Sequence, residues 1–423
     1  MIVLSGRAPF YIFSIIVAML HWPTAADAQQ RVPLTVAEAE DIALASEPGG
    51  EALRAQASAL QERAIVAGQL PDPTLRVGLA NYPISGGGFS TEGMTQAQLG
   101  VRQAFPRARE FDADRMNAQA EVVARRADAR HLDVLTSVRE AWLEAYYAEQ
   151  ATRLVNASRP LFEDLVAITQ SLYSVGRSSQ HDVLRAELEL SRLEDRLIDV
   201  SRARAEAEAS LSRWLGLDAR RPIAPTLPNW DMQFSLEDLR AGLDMHPALI
   251  AADAGISARD AAVRVAEENK KPGWALDLGY GYREGYLPTG EPRSDFISLA
   301  VTVELPFFSK NRQDRNLAAA LGERSAAAST RADLRARLAS QLDAEYARWT
   351  DLTRRLELYE SRILQQSDSQ VQAALRAYQS DTGSFSDVML AQIDDLNTRL
   401  EHIRLQVERA QSYAVLANLG GLE

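Results

Sequence analysis

The chain contains no cysteine. Disulfides and thiolate chemistry are thereby excluded, although the compartment is not fixed by that absence. Histidine is scarce as well: His131, His181, His246 and His402 fall in different segments and make no ligand cluster. No phosphate loop and no nucleophile–base pair is present, so neither a catalytic residue nor a cofactor or metal is predicted. Beyond the N-terminal region no stretch offers about 18 uninterrupted apolar residues, which excludes a later transmembrane helix. A net charge of −12 argues against nucleic acid as a partner. Glycine is missing from Arg107 to Leu172, and proline occurs there once, at Pro160.

That glycine-free run is what the chain has instead. Leu135, Val138, Trp142 and Ala145, then Leu161, Leu165, Ile168 and Leu172, recur in steps of three and four and share one helical face. At 1.5 Å per residue the run makes a rod on the order of 100 Å long. A kink is expected at Pro160. Ahead of it, Arg7, an apolar run from Phe10 to Leu20 and Ala26-Asp27-Ala28 have the three parts of an export signal. Residues 1–28 are read as a signal peptide cleaved after Ala28. No cysteine stands there to accept lipid.

The rest is two copies of one plan, 29–220 and 235–423, joined on the outside by a proline-rich linker, 221–234. Each copy opens with a helix-start signal, Thr35 before Glu38 and Ser235 before Asp238; the first reads as a capping box. Pro48 precedes Pro73 by 25 residues, and Pro247 precedes Pro272 by the same 25. Strict alternation follows. Leu75, Val77 and Leu79, then Ala97, Leu99 and Val101, predict a hairpin over 74–104. Trp274, Leu276, Leu278, Tyr280 and Tyr282, then Ile297, Leu299, Val301 and Val303, predict a second over 274–305. Phe105-Pro106 and Leu305-Pro306 end these hairpins, 200 residues apart. Long helices over 107–172 and 311–378 follow, then return helices over 182–214 and 387–417. Nine residues separate Tyr173 from Asp182 and Tyr378 from Asp387 at the two breaks, where the aspartates read as helix caps.

Four strands with one apolar face cannot satisfy their edges alone. An exported chain with strands of this kind suits an outer-membrane barrel, and three chains would close twelve strands. The rods would continue below as packed helices. The expected fold is therefore mainly α with a small β part. It is a trimeric outer-membrane β-barrel, 12 strands with four per chain, continued by a long periplasmic α-helical barrel, with an internal two-fold repeat. The competing class is a periplasmic coiled-coil structural or adaptor protein with small soluble hairpins.

In the order of these elements, and in Gln69-Leu70-Pro71-Asp72-Pro73, Met245-His246-Pro247 and Tyr173-x-x-Gly176, the chain resembles the outer-membrane efflux protein family, the trimeric channel-tunnels of tripartite exporters. Pro71-Asp72-Pro73 with Arg76-Val77-Gly78-Leu79-Ala80-Asn81 is most similar to its heavy-metal cation branch. The resemblance implies a passive, non-enzymatic exit duct, a homotrimer in the lipid of the outer membrane of a Gram-negative bacterium with a large periplasmic part. It implies a periplasmic membrane-fusion adaptor and an inner-membrane RND-type pump as partners. Heavy-metal cations are the first expected cargo, small organics and type I protein secretion the alternatives. Carried over, Gly176 and Gly383 are adaptor-docking tips and Asp387 belongs to a tunnel gate. Trp274, Tyr280, Tyr282 and Tyr286 are membrane-interface candidates, and read otherwise as ordinary strand aromatics. Two positions depart from the family pattern. Gly383 lies five residues after Tyr378, where the family glycine lies three after, and Leu390 replaces a second carboxylate.

Overall fold

The structure is a computed structural model that describes residues 32–421 apart from 381. The expected signal peptide lies outside the described residues. Each half opens with short helices. Thr35 caps α1 (Val36–Ala45), its hydroxyl accepting from the Glu38 amide at 3.2 Å. The expected capping box is not closed, because the Glu38 carboxylate turns instead to Arg221, at 2.7 and 2.9 Å. α2 (Pro48–Gly68) begins with proline, where no intrahelical N–H is needed. In the second half, Ser235 and Asp238 form a complete capping box on α5 (Leu236–Gly242), and α6 (Pro247–Glu268) follows.

Four strands form one antiparallel sheet in chain order: β1 (Thr74–Ala80), β2 (Gln96–Phe105), β3 (Gly273–Tyr282) and β4 (Phe296–Glu304). The hairpins come from different halves and meet at β2 and β3, where Leu99 faces Tyr280 and Val101 faces Leu278. On either side Val77 faces Leu99, and Leu278 faces Leu299. The alternation of all four strands therefore adds in phase, which puts the apolar residues on one side of the sheet and Arg76, Gln98, Asp277 and Ser298 on the other. β1 and β4 are left as edges.

The first rod is one helix, α3 (Arg109–Ser174), 66 residues long. It runs through Pro160, whose missing N–H leaves the Asn156 carbonyl without its usual helical partner. α4 (Gln180–Leu215) returns beside it. The second rod, expected as a single helix over 311–378, is divided. A 3₁₀ turn at Ser309–Asn311 leads into α7 (Gln313–Leu358), and a π turn at Tyr359–Ile363 separates it from α8 (Leu364–Gln379). α9 (Phe385–Leu419) returns. Pro160 lies 54 residues after Pro106, and the π turn opens 53 after Pro306. Each rod is thus irregular at the same distance from its hairpin, once by a lost hydrogen bond and once by an inserted residue.

Three apolar cores hold the helices. The first surrounds Trp142, which is fully buried with Leu34, Leu143 and Leu211. Its indole N–H donates to the Leu34 carbonyl at 2.9 Å. Leu34 also pairs with Ile223 in a parallel bridge, so the segment 221–234 does not lie wholly outside: Ile223 and Ala224 enter this core. The second core joins Phe162 and Leu165 to Leu193, Met389 and Leu396 between the rods and return helices. The third packs Leu243 and Leu249 against Leu342 and Leu416. At roughly 1.5–3 kcal/mol per fully buried large apolar side chain, these cores outweigh the many exposed ion pairs along the rods, each worth about 0–1 kcal/mol.

Candidate functional site

Two regions of the chain bear on function, the sheet and the helical tips. On the apolar side of the sheet Leu75, Val77, Leu79, Ile297 and Leu299 are all more than 60% exposed. A continuous apolar surface on that scale marks an interaction with something apolar. Trp274 lies at the helix-proximal end of this face and stacks on Phe105, ring centroids 3.9 Å apart. Tyr280 and Tyr282 lie on the same face toward the loop end, and Tyr282 stacks on Phe89 at 6.2 Å. Six residues of strand separate Trp274 from Tyr280, roughly 20 Å along the strand. Tyr286 stands apart from these three, exposed in the β3–β4 loop beside its bridge partner Pro292.

The loops at the far end are tied by arginine. Arg283 donates to the Gly93 carbonyl at 3.1 Å, and Arg293 donates to the carbonyls of Ser90 and Glu92. At the near end Arg107 donates to the carbonyls of Asn269 and Lys271, at 3.1 and 2.8 Å, and pairs with Glu304. That one guanidinium fastens the start of the first rod to both ends of the second hairpin. Its position after Phe105-Pro106 was visible in the sequence; its three partners, all more than 150 residues away, were not.

The two tips look alike in sequence and differ in physics. Gly176 has φ of +72°, a conformation that costs a side chain energy, and a Cβ there would meet nothing within 4 Å. Its amide donates to the Tyr173 carbonyl and the Arg177 amide to that of Leu172, closing the end of α3. Gly383 is glycine for a different reason. A Cβ there would stand 2.8 Å from the Ala377 Cβ, because the Gly383 amide donates to the Ala377 carbonyl at 2.9 Å. Asp381 lies outside the described residues.

Asp182 and Asp387 are not the cap residues expected from the sequence. The caps are Ser179 and Ser384, and each aspartate is the third helical residue of a capping box. The Ser384 amide and hydroxyl donate to Asp387 Oδ2 at 3.0 and 2.8 Å. The Ser384 hydroxyl in turn accepts from the Asp387 amide at 3.2 Å. The same set recurs at Ser179 and Asp182. The signal was present as Ser-x-x-Asp in both repeats. The tips touch through Arg185, which donates to the Ser386 hydroxyl at 2.6 Å. The Ser384 hydroxyl, then the Ser384 amide, hold the Asp387 carboxyl below the ordinary aspartate value, with Arg185 adding to this; Ser179 does the same for Asp182.

Removing either cap should loosen its tip. Ser179→Ala or Ser384→Ala is expected to speed amide hydrogen exchange in the first turn of α4 or α9 by ~5-fold, the effect of losing a typical N-cap. Because the folded-state pKa values are depressed, the capping contribution is complete above the ordinary aspartate value of 3.8 and is lost as pH falls through the folded values. Exchange at the tips, corrected for its intrinsic pH dependence, should therefore stay level from neutral pH to about 5 and rise only in stronger acid. A rise already between pH 7 and 6 would count against these aspartates as the titrating groups.

Comparison with known proteins places this geometry. The family described as outer membrane efflux protein matches residues 41–217 and 240–422, one segment in each repeat. Protein CyaE of Bordetella pertussis is 28% identical over 438 residues, covering 95% of this chain and 87% of its own. Among solved structures, CusC, described for its folding and transmembrane channel formation, superposes with a TM-score of 0.77 at 15% identity, covering 93% of each chain. The outer membrane protein VceC of Vibrio cholerae does so with 0.76 at 16%, covering 91% of this chain and 96% of that one. In this fold the barrel is completed only when three chains assemble, which pairs the free edges of β1 and β4 and turns the apolar face to lipid. The chain belongs to the outer membrane efflux protein family, channels of the outer membrane with a large periplasmic helical region.

Proposed function

We propose that three copies of this chain form the exit duct of a tripartite export machine. The duct passes cargo from an inner-membrane pump through the periplasm and outer membrane, with a periplasmic adaptor docked at the helical tips. The observation that carries this reading is the two-faced sheet with open edges, built on the same chain as rods about 100 Å long. A soluble periplasmic adaptor would leave that apolar face in water. Catalysis has no part in such a duct; its work is to provide a continuous polar path.

For the cargo, we infer a polypeptide delivered by type I secretion. The likeness to CyaE, which spans nearly the whole chain at the higher identity, favours this reading. CusC stands beside VceC and OprN at almost the same TM-score, so the resemblance to the heavy-metal branch is not singled out. Heavy-metal cations with an RND-type pump, and small toxic organics, rank behind it. Deleting the gene should remove one or a few polypeptides from the culture medium and leave metal tolerance unchanged. An unaltered secretome together with new metal sensitivity would reverse the order of cargoes.

Gly176 and Gly383 serve in this reading as the turns that adaptor hairpins grip, and exposed Asp387 lines the closed mouth near the threefold axis. Gly176→Leu forces a side chain into a left-handed conformation at the tip itself. Export should fall while heat-sensitive trimers remain in the outer membrane; normal export would defeat the docking role. Three carboxylates around one axis attract cations. Asp387→Asn should accordingly weaken the block of single-channel current by divalent cations, and unchanged block would remove Asp387 from the mouth.

A further inference from the structure

The polar face of the sheet carries charge that the duct reading leaves unused. Arg76 and Arg102 lie on this face, on neighbouring strands. Arg76 stands opposite Gly100 and Arg102 opposite Thr74, so the two guanidiniums are one diagonal step apart. Such positions are about 7–8 Å apart at Cα, within reach of long side chains. Across the other boundary Arg102 faces Asp277, at 3.9 Å, and the Thr302 hydroxyl donates to the same carboxylate at 3.2 Å. Arg76 has no carboxylate within ion-pairing distance among the described residues. One carboxylate thus answers two guanidiniums.

The surroundings leave Arg76 in open space. Gly78 and Gly100 flank or face Arg76, and a Cβ at Gly78 would meet nothing within 4 Å. The face borders an open hollow of about 620 Å³ that Arg76, Arg102 and Asp277 all line. With the apolar side turned to lipid, this side is the lumen. Two guanidiniums per chain become six per trimer on two adjacent levels, against three Asp277 carboxylates.

We propose that Arg76 and Arg102 form an electropositive ring in the outer-membrane part of the duct, which binds the carboxylates of an acidic polypeptide as it passes and disfavours multivalent cations. The inference rests on the trimeric duct reading and narrows its cargo class. Rings of arginine select anions in narrow pores, and a guanidinium offers a forked set of donors that matches a carboxylate. The field of such a ring reaches about 10 Å at 0.1 M salt and about 3 Å at 1 M, so its effect belongs to low ionic strength. Asp277 then acts as a partial counter-ion that keeps passing carboxylates from being held too tightly.

The test uses purified trimers in planar bilayers at 0.1 M KCl, with poly-L-glutamate or poly-L-lysine added on the extracellular side. Poly-L-glutamate should block the current and poly-L-lysine should not, and raising KCl to 1 M should relieve the block. The double variant R76Q/R102Q should need roughly ten times more poly-L-glutamate for half block, the loss expected when a local excess of favourable charge is removed. D277N should need several-fold less, which keeps the test decisive if the double variant does not assemble. Equal half-blocking concentrations in the native protein and in either variant would overturn the ring, as would stronger block by poly-L-lysine. Conductance that ignores both polymers overturns the ring alone. A chain recovered only as a soluble monomer, with no trimer in the outer membrane, would overturn the duct and the ring with it.

Discussion

The structure depends on one requirement, that the edge N–H and C=O groups of a sheet placed in lipid have hydrogen-bond partners. Four strands leave β1 and β4 each with one unpaired side, and the in-phase alternation leaves a largely apolar face exposed. A single chain can satisfy neither. Three chains satisfy both at once, pairing edge with edge and turning the apolar face to lipid. Everything below the sheet follows from that closure. Rods that hang from a closed ring are brought side by side, and the polar face of the sheet becomes the inner wall of a passage.

The two repeats reach the same shape by different physical means. Gly176 is required by backbone conformation, Gly383 by a close approach to Ala377. Pro160 interrupts the first rod by removing a hydrogen bond, while the second rod takes in a π turn at Tyr359–Ile363 at the matching distance from its hairpin. The two rods share the place of the irregularity but not its local cause. The tips kept their device more closely: a serine cap and an aspartate three residues on recur in both.

The halves are tied where they must not slide. Arg107 bonds the start of α3 to the two ends of the second hairpin. At the middle, Trp142 of the first rod holds Leu34, which in turn pairs with Ile223 of the segment between the repeats. The same segment supplies Arg221 to Glu38, so what looked like a plain connection between two copies is part of the central core. At the tips Arg185 bonds across to Ser386.

Periodicity alone was enough to establish the two rods, the two hairpins and their repeat, because alternation and helical spacing are local properties written in neighbouring residues. Leu75, Val77 and Leu79 announce a one-faced strand whatever lies beside them, and Ser-x-x-Asp at both tips announces a helix start. Register, however, is a property of two segments at once. Only the assembled sheet set Arg102 between Thr74 and Asp277, and only there did Arg76 prove to stand without an ion-paired carboxylate among the described residues. The roles of Gly176 and Gly383 divided for the same reason, since one follows from a residue's own backbone angle and the other from the position of Ala377. The partners of Arg107 and Trp142 lie more than a hundred residues away. No local pattern encodes such contacts, because they come into being when the packed cores bring the two repeats together.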